Sequence, residues 1–340
     1  MKKFLIIPLV LLSLVSSPAW ADDFGDGLAA YQNDDYATAL RLWMPLAEQG
    51  HAGAQYNLSL MYSNGEGVPE DDQLAKKWFV LAAEQGHSVA QYNLGVMYAK
   101  GYGVPVDGRV AEKWYRLAAE QGHASAQLNL GRMYENGEGV AEDAAAAVKW
   151  YSLAAEQGNV VAQYNLGVLY ENGKGVAEDA QTAVKWYSLA GEQGDVDAQF
   201  NLAVIYDNGF GVPEDDEAAV KWYSLAAEQG DAAAQSNLGV LYDSGEGVPE
   251  DNQVAVKWYR LAAEQGYVDA QYNLGLMYAL GEGVPEDNVN AYLWWSIAGS
   301  AGDENALKNR GIIEKKMTAA QIAEAQELAR ECMAKDFKGC

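Results

Sequence analysis

The residues in this chain that could do chemistry are few, and their spacing argues against most of it. All three histidines, His51, His87 and His123, lie 36 residues apart. Ligands of one metal must converge to about 2 Å from the ion, whereas equivalent points on packed helical elements stand roughly 10 Å apart. The histidines therefore read as turn residues. The slot they occupy holds Asn159, Asp195, Asp231 and Tyr267 in later repeats. A serine nucleophile of the penicillin-binding type needs Ser-x-x-Lys, which is absent; the nearest string is Thr182-x-x-Lys185, where other copies read Ala-Ala-Val-Lys. Asp71, Asp143, Asp179, Asp215, Asp251 and Asp287 precede helical patterns and read as N-caps, not acid–base dyads. The loop spacing does not match an EF-hand, and the Gly-x-Gly loops follow helices, so no phosphate cradle is supported. No catalytic, cofactor-binding or metal-binding residue is assigned, and no enzyme activity is expected.

The two cysteines, Cys332 and Cys340, stand near the C-terminus. A straight helix between them would hold them roughly 12 Å apart, too far to bridge. A disulfide thus requires the helix to end near Asp336, with Gly339 allowing the backbone to turn back. The alternative is two reduced thiols.

Residues 1–21 have the form of an export leader: Lys2 and Lys3, an apolar run from Phe4 to Val15, then Ala19-Trp20-Ala21 as a small-x-small cleavage site. The run is too short to span a bilayer, and no cysteine for a lipid anchor is near. The expected mature protein begins at Asp22, outside the cytoplasm, periplasmic or secreted, with no membrane insertion. It keeps 21 basic and 48 acidic residues, a net charge of −27. Such a charge disfavours nucleic acid and anionic membranes. Disorder is excluded by a 49% hydrophobic composition with 10 Trp and 21 Tyr.

The elements that must position these residues follow from one observation. Glu-Gln-Gly ends at Gly50, Gly86, Gly122, Gly158, Gly194, Gly230 and Gly266, always 36 apart. Seven units therefore run without a gap from 51 to 302. Each reads as helix, loop, helix. In the unit 159–194, Ala162, Leu166, Leu169 and Tyr170 recur at helical period; Gly173 and Gly175 break the helix, and Asp179 caps the next one. Ala183, Trp186, Tyr187 and Ala190 follow on one face. Trp78, Trp114, Trp150, Trp186, Trp222, Trp258 and Trp294 share one slot and read as core. Residues 22–50 form a shorter N-terminal capping hairpin, with Pro45 expected to kink its second helix. Residues 303–340 form C-terminal capping helices, the last opened by a Thr318-x-x-Gln321 capping box.

The unit 87–122 carries Ala-x-Ala-Gln-Tyr-Asn-Leu-Gly-x-Met-Tyr almost whole, then Gly-x-Gly-Val-Pro-x-Asp and Ala-x-Lys-Trp-Tyr-x-x-Ala-Ala-Glu-Gln-Gly. It resembles the Sel-1-like repeat family of the tetratricopeptide superfamily. The resemblance implies an all-α, right-handed α/α superhelical solenoid whose concave face is lined by the first helix of each pair. It also implies an adaptor or scaffold role, with no shared catalytic residue. A cysteine-rich subgroup linked to penicillin binding has a disulfide in every repeat; this protein has no cysteine between 51 and 302.

The third, sixth, tenth and thirteenth residues of each unit form one stripe of the first helix and vary between copies. The candidate binding residues lie there. Tyr56, Tyr92, Tyr164, Phe200 and Tyr272 hold the sixth position, Arg132 the tenth, and Glu135, Glu171, Asp207 and Asp243 the thirteenth. An aromatic row beside an acidic one suits a protein or peptide partner with basic and apolar groups. The bland reading is that the aromatics pack between helices and the carboxylates are solvated. Asn57 and its six equivalents are poor mid-helix residues and are expected to bond to a neighbouring helix. The functional expectation is an exported scaffold for envelope processes or host contact. The alternative is a cell-wall-ligand-binding protein or a hydrolase with its site in the groove. Oligomeric state is not legible.

Overall fold

The computed structural model describes residues 18–340, with side chains from Asp22 onward. The leader expected over 1–21 lies outside the described residues, apart from the backbone of 18–21. Among the described residues every regular element is helical. The protein divides into two compact units, one up to Ala154 and one from Ala155 to Cys340.

The first unit stacks four hairpins. These are α1 (Pro18–Gln32) with α2 (Tyr36–Glu48), α3 (Ala52–Asn64) with α4 (Asp72–Glu84), α5 (Ser88–Lys100) with α6 (Gly108–Glu120), and α7 (Ala124–Asn136) with α8 (Ala144–Glu156), whose last two residues fall in the second unit. The second unit continues with α9 (Val160–Glu171), α10 (Ala180–Glu192), α11 (Val196–Asn208), α12 (Asp216–Glu228), α13 (Ala232–Ser244), α14 (Asn252–Ala263), α15 (Val268–Leu280) and α16 (Asn288–Ser300). It closes with α17 (Glu304–Ile313), a single 3₁₀ turn and α18 (Ala319–Ala334). Within each unit the second helix of one hairpin packs on the first helix of the next.

Caps explain why the helices begin and end where they do. Asp71, Asp179, Asp215, Asp251 and Asp287 accept backbone N–H bonds at the starts of second helices, as does Asp107. Asp143 does the same for Ala146 N–H at 2.9 Å. First helices commonly end on a left-handed glycine such as Gly209, φ 65°, where a side chain would be strained. The capping box of Thr318 and Gln321 is present. Pro45 does not end α2, which runs on to Glu48.

The core is aromatic on small. Gly167 lies so near Tyr187 that a Cβ there would stand 2.5 Å from the ring. The expected tryptophan row is uneven: Trp78, Trp150, Trp222 and Trp294 are buried, but Trp114, Trp186 and Trp258 are only partly so. In the first six repeats the residue after the tryptophan goes deeper, and in the seventh Trp294 and Trp295 are both buried. Phe79, Tyr115, Tyr151, Tyr187, Tyr223, Tyr259 and Trp295 are all buried, four of them at 0–1% exposure. The reason is register: this position points at the small residue of its own first helix, while the tryptophan sits at the seam between successive second helices.

Candidate functional site

The varying stripe of the first helices is half-buried, and its aromatics are already engaged. Tyr56 stacks on His87 at 4.8 Å and Tyr92 on His123 at 4.6 Å, ring centre to ring centre. Tyr164 packs on Tyr187 at 5.8 Å and Phe200 on Tyr223 at 5.9 Å. The Tyr272 hydroxyl accepts from Asn309 Nδ2 at 3.3 Å. Their outer edges remain open to solvent. Arg132 is exposed, and Val240 on the same row is 40% exposed.

The thirteenth-position carboxylates have an internal partner. Tyr151 donates its hydroxyl to Glu135 at 2.6 Å, Tyr187 to Glu171 at 2.6 Å, Tyr223 to Asp207 at 3.2 Å and Tyr259 to Asp243 at 3.5 Å. The acids are half-buried, each with its own tyrosine. Burial holds the Asp207 and Asp243 carboxyls above the ordinary range, and the hydrogen bond from tyrosine opposes that rise. Burial also pushes the Tyr187, Tyr223 and Tyr259 hydroxyls far up, with the neighbouring carboxylates adding to the effect. Tyrosines moved this far from neutrality are hydrogen-bonding elements, poorly suited to general acid–base work near pH 7.

Asparagine completes the series of bonds across repeats. Asn237 Nδ2 donates to the Tyr223 hydroxyl of the preceding repeat at 3.0 Å. Asn201 likewise bonds Tyr187, Asn129 bonds Tyr115 and Asn93 bonds Tyr56. The asparagine row thus bonds to the neighbouring repeat. One repeat's carboxylate, its tyrosine and the next repeat's asparagine form a relay on the first-helix face.

A second polar row, not expected from the sequence pattern, lies between the repeats. Gln55, Gln91, Gln127, Gln163, Gln199, Gln235 and Gln271 are buried. Each donates Nε2 to a carbonyl of the preceding second helix, as in Gln199 to Gly191 O at 2.8 Å. In return, the glutamine of the Glu-Gln-Gly turn donates to its Oε1, as Gln229 does at 2.8 Å. The signal was available: a glutamine in the fifth slot of every unit, with another 30 residues on in the first six, where the seventh has Ala301. The histidines were also under-read. His51, His87 and His123 are N-caps whose Nδ1 accepts from the backbone N–H of Ala54, Ala90 and Ala126.

Among the described residues no three His, Cys, Asp or Glu converge as metal ligands. No described helix is long and apolar enough to cross a membrane. Cys332 and Cys340 form a disulfide with Cα atoms 5.7 Å apart. The backbone reverses there because α18 stops at Ala334 and both Asp336 and Phe337 take left-handed angles. A groove of about 370 Å³ lies beside Tyr115 on the first-helix side of the first unit.

Comparison with known proteins agrees with this architecture. The Sel1 repeat family profile matches seven consecutive segments: 52–87, 88–123, 124–159, 160–195, 196–231, 232–267 and 268–303. A Sel1 repeat protein from Oxalobacter formigenes is 36% identical, the match covering 86% of both proteins with a TM-score of 0.63. A protective antigen of uropathogenic Escherichia coli, described as displaying an SLR fold, is 33% identical over 93% of this protein and 84% of its own length, with a TM-score of 0.49. An exopolysaccharide production negative regulator of Rhizobium leguminosarum bv. viciae is 39% identical over 51 residues. The match spans about a fifth of that relative's length, 19%.

Proposed function

The chain belongs to the Sel1 repeat family, an α-solenoid scaffold family suited to protein partners, and from that premise we propose that it is an exported, non-enzymatic scaffold holding a protein or peptide on the face formed by its first helices. The observation that carries this reading is a contrast between two helix faces. The glutamine row is buried and unvarying, whereas the stripe with Tyr92, Arg132, Tyr164, Val240 and Tyr272 varies between repeats and stays partly open. Positions that the array does not need to be uniform are free to be specific. Half-open aromatics with a charged rim are the usual material of protein interfaces.

The four carboxylates modify the expected ligand. Each already accepts one bond from a tyrosine, so a basic partner would meet a partly satisfied carboxylate. Reversing their charge would also disturb a hydrogen bond of the fold. Arg132 and Val240 make cleaner probes. Export is supported by the leader-like residues 1–21, and a disulfide near the C-terminus is of a kind kept in oxidising compartments. A regulatory role would be in keeping with the name of the Rhizobium relative.

The test is a pull-down from envelope extract with the mature protein, its Arg132→Glu form and its Val240→Glu form. A partner lost from either variant, with unchanged thermal melting, supports the reading. The same retained set on all three proteins sinks first-helix binding. Peptidoglycan fragments titrated calorimetrically form the opposing arm, since saturable binding there without a protein partner would favour a cell-wall ligand. Immunoblotting of cell fractions tests export, and retention in the cytoplasm would defeat it.

A further inference from the structure

The pairing of tyrosine with carboxylate obeys a rule inside this one molecule, and one repeat breaks it. Where the thirteenth residue is Glu135, Glu171, Asp207 or Asp243, the residue after the tryptophan is tyrosine. In the first repeat neither is present (Ser63 with Phe79), nor in the seventh (Ala279 with Trp295). The second repeat keeps Tyr115 but has Ala99 in place of the acid. Tyr115 sits in the same seat as its equivalents: a Cβ on Gly95 would stand 2.5 Å from its ring, against 2.4 Å for Gly131 and Tyr151. It is 3% exposed, and burial pushes its hydroxyl up to about 12, so it stays a donor at neutral pH. Asn129 bonds the oxygen, and the hydroxyl proton has no carboxylate acceptor among the described residues.

The acid's place is an opening of about 370 Å³. Ala99, Tyr115 and Asn129 line it, with Lys100 and Arg132 beside them. Both cations are exposed and neither makes an ion pair among the described residues, in a protein of net charge −25. Glu138 also reaches the lining, where it accepts from Asn136 Nδ2 at 3.4 Å. A tyrosine hydroxyl, an asparagine amide and two unpaired cations are a donor set for an anion with two planar oxygens.

We propose that this opening is a carboxylate-binding subsite, in which a ligand's carboxylate takes the place that Glu135, Glu171, Asp207 and Asp243 fill in the following repeats. The proposal rests on reading the first-helix face as a binding face. It names the chemistry of one contact on that face: the terminal carboxylate of a polypeptide, an acidic side chain or a small free carboxylate. One carboxylate held at a single subsite binds weakly, on the order of millimolar.

The test is isotope-edited NMR of the mature protein, titrated with acetate, with an acidic peptide ending in a free carboxylate, and with the same peptide amidated. Saturable shifts centred on Tyr115, Asn129 and Arg132 support the subsite. Acetate alone producing them marks a small-molecule source; the free-ended peptide binding at least tenfold tighter than its amide marks a polypeptide terminus. Two variants test the geometry. Ala99→Glu installs the missing acid, and should raise the melting temperature and weaken carboxylate binding at least tenfold. Tyr115→Phe keeps the ring, and should weaken binding several-fold without that gain. No saturable shift with any of the three ligands, or unchanged binding by folded Ala99→Glu, overturns the proposal. A protein partner retained by Ala99→Glu defeats the subsite and leaves the scaffold reading standing. Carboxylate binding with no protein partner does the reverse.

Discussion

The two compact units repeat one hairpin, yet they finish it with different chemistry. In the first unit the first helices of the repeats are capped by His51, His87 and His123; in the second, Asn159, Asp195 and Asp231 cap the corresponding helices. The first unit holds the unmatched Tyr115 beside one tyrosine–carboxylate pair, Tyr151 with Glu135, while the second holds three such pairs. The buried glutamine row runs through both unchanged. Backbone requirements are therefore shared, and what differs is which side chains cap the first helices and which pair with the buried tyrosines. A repeat can exchange one cap or acceptor for another while its hairpin geometry stays the same.

The glutamine row offers the largest way to break that picture. Gln91→Leu removes a donor to Ala83 O at 3.0 Å and the acceptor for Gln121 at 2.7 Å. Gln199→Leu does the same to Gly191 O and Gln229, both at 2.8 Å. Each removes both bonds of a buried glutamine, while Ala83 O and Gly191 O keep their turn N–H bonds, so each should cost about 2–3 kcal/mol. The cost should be alike in both units. Segment-resolved hydrogen exchange is the right measurement, because arrays stabilised between neighbours can depart from two-state melting. A cost confined to one unit would show that the row is not a common structural element.

The tyrosines should separate the units by a smaller margin. Tyr187→Phe leaves Glu171 and Asn201 without their hydroxyl and should cost about 1–2 kcal/mol. Tyr115→Phe loses only the Asn129 contact and should cost about half as much. The pH dependence has a definite sign. The folded hydroxyl of Tyr187 is held above its ordinary value of 10.0, so its contribution is present below pH 10 and lost as pH rises past it. Tyr187→Phe should flatten the alkaline limb of a stability profile; equal alkaline loss in the variant would remove the tyrosine from the explanation.

Much of this architecture was legible in the residues. The 36-residue period, the Gly-x-Gly breaks and the aspartate caps were enough to place hairpins, and asparagine at mid-helix implied a partner on a neighbouring helix. The missing parts share a physical cause. Periodicity says which residues share a helix face but not which neighbour that face meets, so Gln199 and Gln229 did not read as a bonded pair. The acidic row read as a rim for the same reason. Glu171 and Tyr187 are 16 residues apart on different helices, and only the closed hairpin brings them within 2.6 Å. The match between the two slots was nevertheless visible by comparing copies, as was its failure at Ala99. The histidine slot also held a clue: Asn159, Asp195 and Asp231 are favoured N-cap residues, which argues that the histidines before them accept the same backbone bond.

That last substitution sets the smallest effect and the most selective one. His87 and His123 cap their helices through Nδ1, which accepts from Ala90 and Ala126 N–H at 3.2 and 3.3 Å. The acceptor exists only in the neutral ring. Protonation would turn it into a donor facing another donor, and place a positive charge at the positive end of a helix dipole. Burial against Tyr56 and Tyr92 already lowers both side chains below 6.5. Their contribution is therefore present above about pH 6.5 and lost as pH falls through the lowered folded value. The second unit carries no histidine, and Asp207 and Asp243 shift the other way, so protonation there relieves a buried charge. Mild acid should thus loosen the first unit before the second. His87→Asp, supplying the cap that the later repeats use, should recover about 0.5–1 kcal/mol at pH 5 and little at pH 8. Exchange rates at Ala90 and Ala126 that do not rise between pH 7 and pH 5, after correction for intrinsic chemistry, would show that the histidines are interchangeable with the aspartates in this respect too.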